Sequence, residues 1–141
     1  MIEKLNPPLP PVRTVGPVSL SNMVRYQGAS GDFNPLHHDV EFAQSAGFDR
    51  PVIVGMYMAG LMSSWMVDGF GPESVRRLRT RFRRPAFVGD VLEVGGIIEE
   101  TTTVAQGIET QLSLWCRRAS DNVEVATGWA TCLRESGDQS G

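Results

Sequence analysis

An aspartate and a histidine stand five residues apart, at Asp32 and His37, in the string Tyr26-Gln27-Gly28-Ala29-Ser30-Gly31-Asp32-Phe33-Asn34-Pro35-Leu36-His37. A carboxylate and an imidazole are well suited to exchange protons near neutral pH, one taking a proton from a reactant while the other delivers one. The residues between them restrict the backbone. Gly31 permits a turn that a side chain would resist, Pro35 fixes its own φ and biases Asn34 toward an extended conformation, and Asn34 can bond to nearby backbone. Spacing alone leaves two readings open: a loop cap beside a surface imidazole, or a proton-transfer pair aimed at one point.

The elements that must hold this loop follow from the surrounding pattern. Residues 1–11 include Pro7, Pro8, Pro10 and Pro11 and form an extended lead-in that cannot be helical. Residues 12–20 read as a short strand interrupted by Gly16-Pro17. Ser21 is placed to cap a short helix running through Gln27 and ended by Gly28. Asp39 is placed to cap a second, with Val40, Ala43 and Ala46 on one face and Gly47 as its stop. Residues 55–68 form the longest helical candidate. Met56, Ala59, Leu61, Met62, Trp65 and Met66 leave it almost no polar face, so it should be buried.

Beyond Pro72 the period changes to two. Leu78, Thr80 and Phe82 alternate with Arg77, Arg79, Arg81 and Arg83. Residues 91–98 are mostly apolar, and Gly95-Gly96 suggests a bend or bulge there. Ile108, Thr110, Leu112, Leu114 and Cys116 share one face of the next strand. Val123, Val125, Thr127, Trp129, Thr131 and Leu133 repeat the alternation after a turn at Asp121-Asn122. The small polar residues 135–141 read as a frayed tail. The expected architecture is α+β: one domain over residues 12–134, with an antiparallel sheet wrapped around the apolar helix.

The bulk properties narrow the function. A chain of 141 residues, 41% hydrophobic and 21% charged, fits one soluble domain with one core. Its net charge of −3 gives no general affinity for nucleic acid. Arg76, Arg77, Arg79, Arg81, Arg83 and Arg84 are the local exception, and they lack the interleaved exposed aromatics of a single-strand binder. Cys116 and Cys132 are too few for a disulfide scaffold and too far apart for a zinc motif, so no metal is expected and both should be buried. No apolar run reaches the length of a membrane span, and residues 1–11 hold no signal-peptide core, so the expected location is the cytoplasm.

The string Ser30-Gly31-Asp32-x-Asn34-Pro35-Leu36-His37, preceded by Tyr26 and followed by Ala43, resembles the signature of the MaoC-like and (R)-specific enoyl-CoA hydratases. The resemblance continues through Gly47-Phe48, Arg50-Pro51 and Gly55-Met56, and more loosely through Arg81-Phe82 and Gly89-Asp90. It implies a hot-dog fold, usually dimeric, and an enzyme that hydrates a trans-2-enoyl thioester or dehydrates an (R)-3-hydroxyacyl thioester, without a cofactor. Asp32 and His37 would be the proton-transfer pair. Gly55 would give a backbone N–H to the thioester oxygen, and Ser63 and Asn34 would line the substrate. Arg81, Arg83 and Arg84 could meet coenzyme A phosphates, or else belong to a solvated strand face. The carrier could be coenzyme A or acyl carrier protein, and the assembly a homodimer or a heterodimer with a second hot-dog chain. Two competing functions remain: an acyl-CoA thioesterase, or an accessory subunit of a hetero-oligomeric dehydratase. The chain departs from the family pattern at Val54, where a histidine is usual, and at His38, expected to be an exposed bystander. Met56, Met58, Met62 and Trp65 are expected to shape the acyl cavity.

Overall fold

Three long strands carry the sheet in the computed structural model, which describes residues 8–137. They are β3 (Leu92–Val104), β4 (Gly107–Arg118) and β5 (Glu124–Glu135). Two shorter strands flank them, β1 (Arg13–Val15) against β3 and β2 (Val75–Phe82) against β5, giving the antiparallel order β1-β3-β4-β5-β2. The helices α1 (Leu20–Ser30), α2 (Val40–Ser45) and α3 (Gly55–Phe70) precede β2 in the chain. The expected α+β hot-dog architecture is therefore present.

Helix α3 packs into the sheet because its sequence leaves no other option. Met58, Ala59, Met62, Trp65 and Met66 are buried against Leu92, Val94, Leu112, Leu114, Cys116 and Ala130. Met56 projects to solvent and Leu61 is only half-buried, so the helix keeps a narrow exposed face after all. Gly96 provides the room at the tightest crossing: a Cβ there would lie 2.9 Å from the Trp65 ring and 2.8 Å from the Ser113 carbonyl oxygen. Gly95 and Gly96 thus serve close approach rather than the expected bend. Their pairing with Trp115 and Leu114 is regular, and the register shift falls later, between Ile98 and Glu100.

Three other expectations are corrected. Helix α1 starts two residues earlier and ends three residues later than anticipated. Ser19 caps it, its hydroxyl accepting the Asn22 N–H while its own N–H donates to Asn22 Oδ1, and Gly31 ends it in a left-handed conformation at φ +80°. Gly28, the expected stop, lies inside the helix. In α2, Asp39 caps through the Phe42 N–H as expected, but only Ala43 is buried, while Val40 and Ala46 are exposed. In β5 the inward row is not Val123 through Leu133. A register shift at Cys116/Arg117 breaks the phase, Val125 and Ala126 are both buried, and Ala126, Ala130 and Cys132 continue inward. Thr127, Trp129 and Thr131 consequently face outward.

Both ends of the described chain are tied to the domain. The Pro11 carbonyl accepts a hydrogen bond from Trp65 Nε1 at 2.9 Å, and Leu9 packs on the core. Glu135, assigned from sequence to the frayed tail, is the last residue of β5 and pairs with Gly107. The rest of the expected tail from residue 138, and residues 1–7 of the lead-in, lie outside the described residues.

Candidate active site

The left-handed turn at Gly31 releases the chain from α1 directly into Asp32. Asp32 Oδ1 accepts the Asn34 N–H at 3.2 Å, a short Asx turn that fixes the carboxylate and leaves Oδ2 free to face elsewhere. Asn34 in turn caps a 3-10 turn, Pro35–His37, its side-chain oxygen accepting the Leu36 N–H at 3.0 Å. That bond makes Asn34 part of the loop's own architecture.

His37 ends the 3-10 turn with its side chain only 12% exposed. Its Nδ1 lies 2.6 Å from the Val52 carbonyl oxygen, and a carbonyl can only accept, so the proton sits on Nδ1. Nε2 is then the nitrogen left for chemistry, and it faces Asp32 Oδ2 at 4.0 Å across the open side of the loop. That gap is too long for a direct hydrogen bond and short enough for one water oxygen to reach both atoms.

Two residues overlooked in the sequence hold this arrangement. Val52 accepts from His37 through its carbonyl and donates its N–H to the Leu36 carbonyl at 3.0 Å, gripping the turn at two points. Gln27 is 2% exposed; its Nε2 donates to the Asn34 carbonyl at 2.9 Å and its Oε1 lies 2.8 Å from His38 Nδ1. His38 is therefore half-buried and engaged with Gln27, not an exposed bystander. The Gly89-Asp90 and Arg50-Pro51 pairs meet nearby. Arg50 lies 3.4 Å from the Asp90 carboxylate and donates to the Val88 carbonyl, bracing the segment that carries Val52. No residue type signalled Val52, whose contribution is entirely backbone; Gln27 could have been noticed as a polar residue at an inward helix position.

His37 opens onto a cleft of about 340 Å³ lined also by Val52, Gly55, Met58, Phe82 and Arg84. Gly55 is the first residue of α3, and Val54 before it supplies no side-chain cap. The Tyr57 N–H donates to the Val54 carbonyl at 3.0 Å, so in this first turn it is the Gly55 and Met56 amides, which lie too near the helix start for an intrahelical acceptor, that can serve an anionic oxygen. A Cβ on Gly55 would lie 2.9 Å from the Phe82 ring, which explains why this position carries none. Val54, in the place where the motif usually has histidine, is buried.

Other expected residues fall elsewhere. Ser63 is half-buried further along α3 and does not line the cleft; eight residues at about 1.5 Å each put it roughly 12 Å beyond Gly55. Met62 and Trp65 are core residues, and only Met58 of the four expected cavity residues reaches the cleft. Arg83 and Arg84 line it, with Arg83 Nε bonded to Thr127 Oγ1 at 3.0 Å, whereas Arg81 lies outside. Among the described residues no group of three metal-binding side chains is found. Cys116 and Cys132 are buried free thiols, as expected.

Comparison with known proteins identifies the family and the fold. The MaoC-like domain model matches residues 8–115. The peroxisomal multifunctional enzyme type 2 of Mus musculus is 31% identical over 90 residues, 62% of this chain and 12% of that protein. The mitochondrial 3-hydroxyacyl-[acyl-carrier-protein] dehydratase of Arabidopsis thaliana is 30% identical over 117 residues, 82% of this chain and 69% of that one. The chain thus spans about an eighth of the mouse relative and about two thirds of the plant one. The solved (R)-hydratase of A. caviae superposes with a TM-score of 0.77 at 22% identity, covering 89% of this chain and 96% of that chain.

Proposed function

This chain belongs to the MaoC-like domain family, and from that premise we propose that it adds water to a trans-2-enoyl thioester, or removes it from the (R)-3-hydroxyacyl thioester, through Asp32 and His37. The observation that carries the reading is the 4.0 Å approach of His37 Nε2 to Asp32 Oδ2, with Nδ1 held by Val52. One water bonded to both atoms loses a proton to the pair as its oxygen attacks Cβ, and the pair returns a proton to Cα on the same side. Atoms balance: the thioester gains one hydroxyl at Cβ and one hydrogen at Cα. Negative charge develops on the thioester oxygen in between, where the uncapped first turn of α3 at Gly55 supplies preorganised N–H donors.

Arg84 and Arg83, at the rim of the cleft, suit the phosphates of a carrier, either coenzyme A or the phosphopantetheine of acyl carrier protein. The Arabidopsis relative, by its name, acts on an acyl-carrier-protein thioester. The test uses the purified chain with crotonyl-CoA and a longer trans-2-enoyl-CoA, following loss of the conjugated enoyl absorbance. Hydration should fall by about two orders of magnitude or more in Asp32→Asn. Release of free coenzyme A in place of hydration would make the chain a thioesterase. No turnover by the folded chain would point to an accessory subunit.

A further inference from the structure

Asn34 touches both halves of the catalytic pair through its backbone. Its N–H donates to Asp32 Oδ1 at 3.2 Å, and its carbonyl accepts the His37 N–H, also at 3.2 Å. A shift of this one residue therefore displaces the carboxylate and the imidazole together. A further hold on it comes from outside the loop, where Gln27 of α1 donates Nε2 to the same carbonyl at 2.9 Å. Gln27 is buried, so both ends of its amide need partners from the protein itself. The two ends of an amide are alike in size, and the group can turn over within the same space. Its orientation is therefore set by the chemistry of its partners. With Nε2 on the Asn34 carbonyl, Oε1 lies 2.8 Å from His38 Nδ1, and that nitrogen must carry the proton. With the amide reversed, Oε1 would face the Asn34 carbonyl, oxygen against oxygen, and Nε2 would need an unprotonated Nδ1 on His38. The orientation of Gln27 and the tautomer of His38 are a single choice.

We infer that His38 is a positioning residue for the reaction: by donating Nδ1–H to Gln27 Oε1 it fixes the amide orientation that holds the Asn34 carbonyl, and through that carbonyl the spacing of Asp32 and His37. Its kinetic consequence rests on the hydratase reading above; its tautomer does not. Neighbours in sequence, the two histidines have different anchors. His37 is locked by the Val52 carbonyl and presents Nε2 to Asp32, whereas His38 turns its Nδ1 to α1. The His38 N–H donates to the Pro35 carbonyl at 3.1 Å, so the ring hangs from the same 3-10 turn that it steadies. One buried amide thus clamps both ends of that turn, accepting at His38 and donating at Asn34. Removing the donor at His38 leaves Gln27 free to reverse, and the reversed amide repels the carbonyl that joins the two catalytic residues.

Nuclear magnetic resonance of the whole chain carrying nitrogen-labelled histidine reads the tautomer directly, because the sequence holds two imidazoles and His38→Asn assigns them by removing one. The neutral His38 ring should carry its proton on Nδ1. Gln27→Leu should release it to the Nε2–H form that free imidazoles favour, while His37 keeps Nδ1–H on Val52. A parent His38 protonated on Nε2 would overturn the inference whether or not the chain hydrates an enoyl thioester. Hydration of crotonyl-CoA reads the consequence. His38→Asn keeps an N–H donor near the position of Nδ1 and should retain a kcat close to the parent value. His38→Asp sets an acceptor there and reverses the Gln27 amide. Its kcat should fall at least about tenfold with little change in KM, as for a misplaced catalytic pair. Circular dichroism establishes that both variants are folded. Equal kcat in all three proteins would overturn the inference. An equal fall in His38→Asn and His38→Asp would reduce His38 to packing, and a rise in KM alone would make it a substrate contact; either result overturns it as well.

Discussion

Because Nδ1 of His37 is committed to the Val52 carbonyl, the imidazole presents one defined nitrogen to its partner carboxylate, and neither ring flip nor tautomer exchange is available without breaking a 2.6 Å bond. Asp32 is held by the same logic, one oxygen bound to the Asn34 amide and the other directed at His37. The residue that makes this possible from beneath is Gln27, whose buried amide bridges the Asn34 carbonyl and His38. Gln27→Leu removes one of two donors from the Asn34 carbonyl, which keeps the His37 N–H at 3.2 Å, and takes the acceptor away from the half-buried His38 Nδ1. We expect about 1–3 kcal/mol loss of stability in urea denaturation and, since the 4.0 Å gap widens, at least about a tenfold fall in kcat. Gln27→Glu should lie between, because a carboxylate can still accept from His38 but cannot donate to Asn34. Equal activity in all three proteins would show that the loop holds itself.

At the scale of elements, glycines separate backbone need from packing need. Gly28 lies within α1, and a Cβ there would meet nothing within 4 Å. Gly28→Ala should therefore stabilise the protein by about 0.5–1 kcal/mol, because alanine favours the helix. Gly96→Ala should do the opposite, costing about 1–3 kcal/mol, since the new methyl would lie 2.8 Å from the Ser113 backbone oxygen as well as against Trp65. Thermal midpoints of the two variants should move in opposite directions; a fall in both would return Gly28 to the helix-terminating role its residue type first suggested. The same pair shows where sequence reading is strong and weak. Glycine announces that something is unusual, but whether it ends a helix, bends a strand or admits a tryptophan depends on what lies across from it. The β5 face illustrates the same point. Alternation grouped Thr127, Trp129 and Thr131 with Val123 and Val125, yet the residues turned inward beside Leu114 are Ala126, Gly128 and Ala130.

For the whole molecule, the core sets an alkaline limit. Burial pushes the Cys116 thiol from 9.0 up to about 12 and raises Cys132 in the same direction. In the unfolded chain Cys116 loses its proton near its ordinary value, whereas the folded protein retains it, so between the two values the unfolded state binds fewer protons. This contribution to stability is complete below about pH 9 and is lost as pH rises toward 12. The urea midpoint should be lower at about pH 10.5 than at about pH 8, and Cys116→Ala should narrow that difference. An unchanged pH dependence in the variant would assign the alkaline loss to other groups. In the native state at about pH 8 both thiols should resist alkylation, as buried protonated sulfur does.

By itself the sequence determined the chemistry-bearing loop, the apolar helix, the antiparallel strands and thus the fold. These depend on rules that act over a few residues: the left-handed freedom of Gly31, the fixed φ of Pro35, the cap at Asp39 and the two-residue period of strands. Tertiary structure decided which residues work with that loop. His37 meets Val52 fifteen positions away, Gly55 meets Phe82 across the cleft, and Ser63 is carried out of reach by the rise of its own helix. Backbone carbonyls such as that of Val52 are the same in every residue type, so nothing in a sequence marks the one that will fix an imidazole. Only packing chooses it.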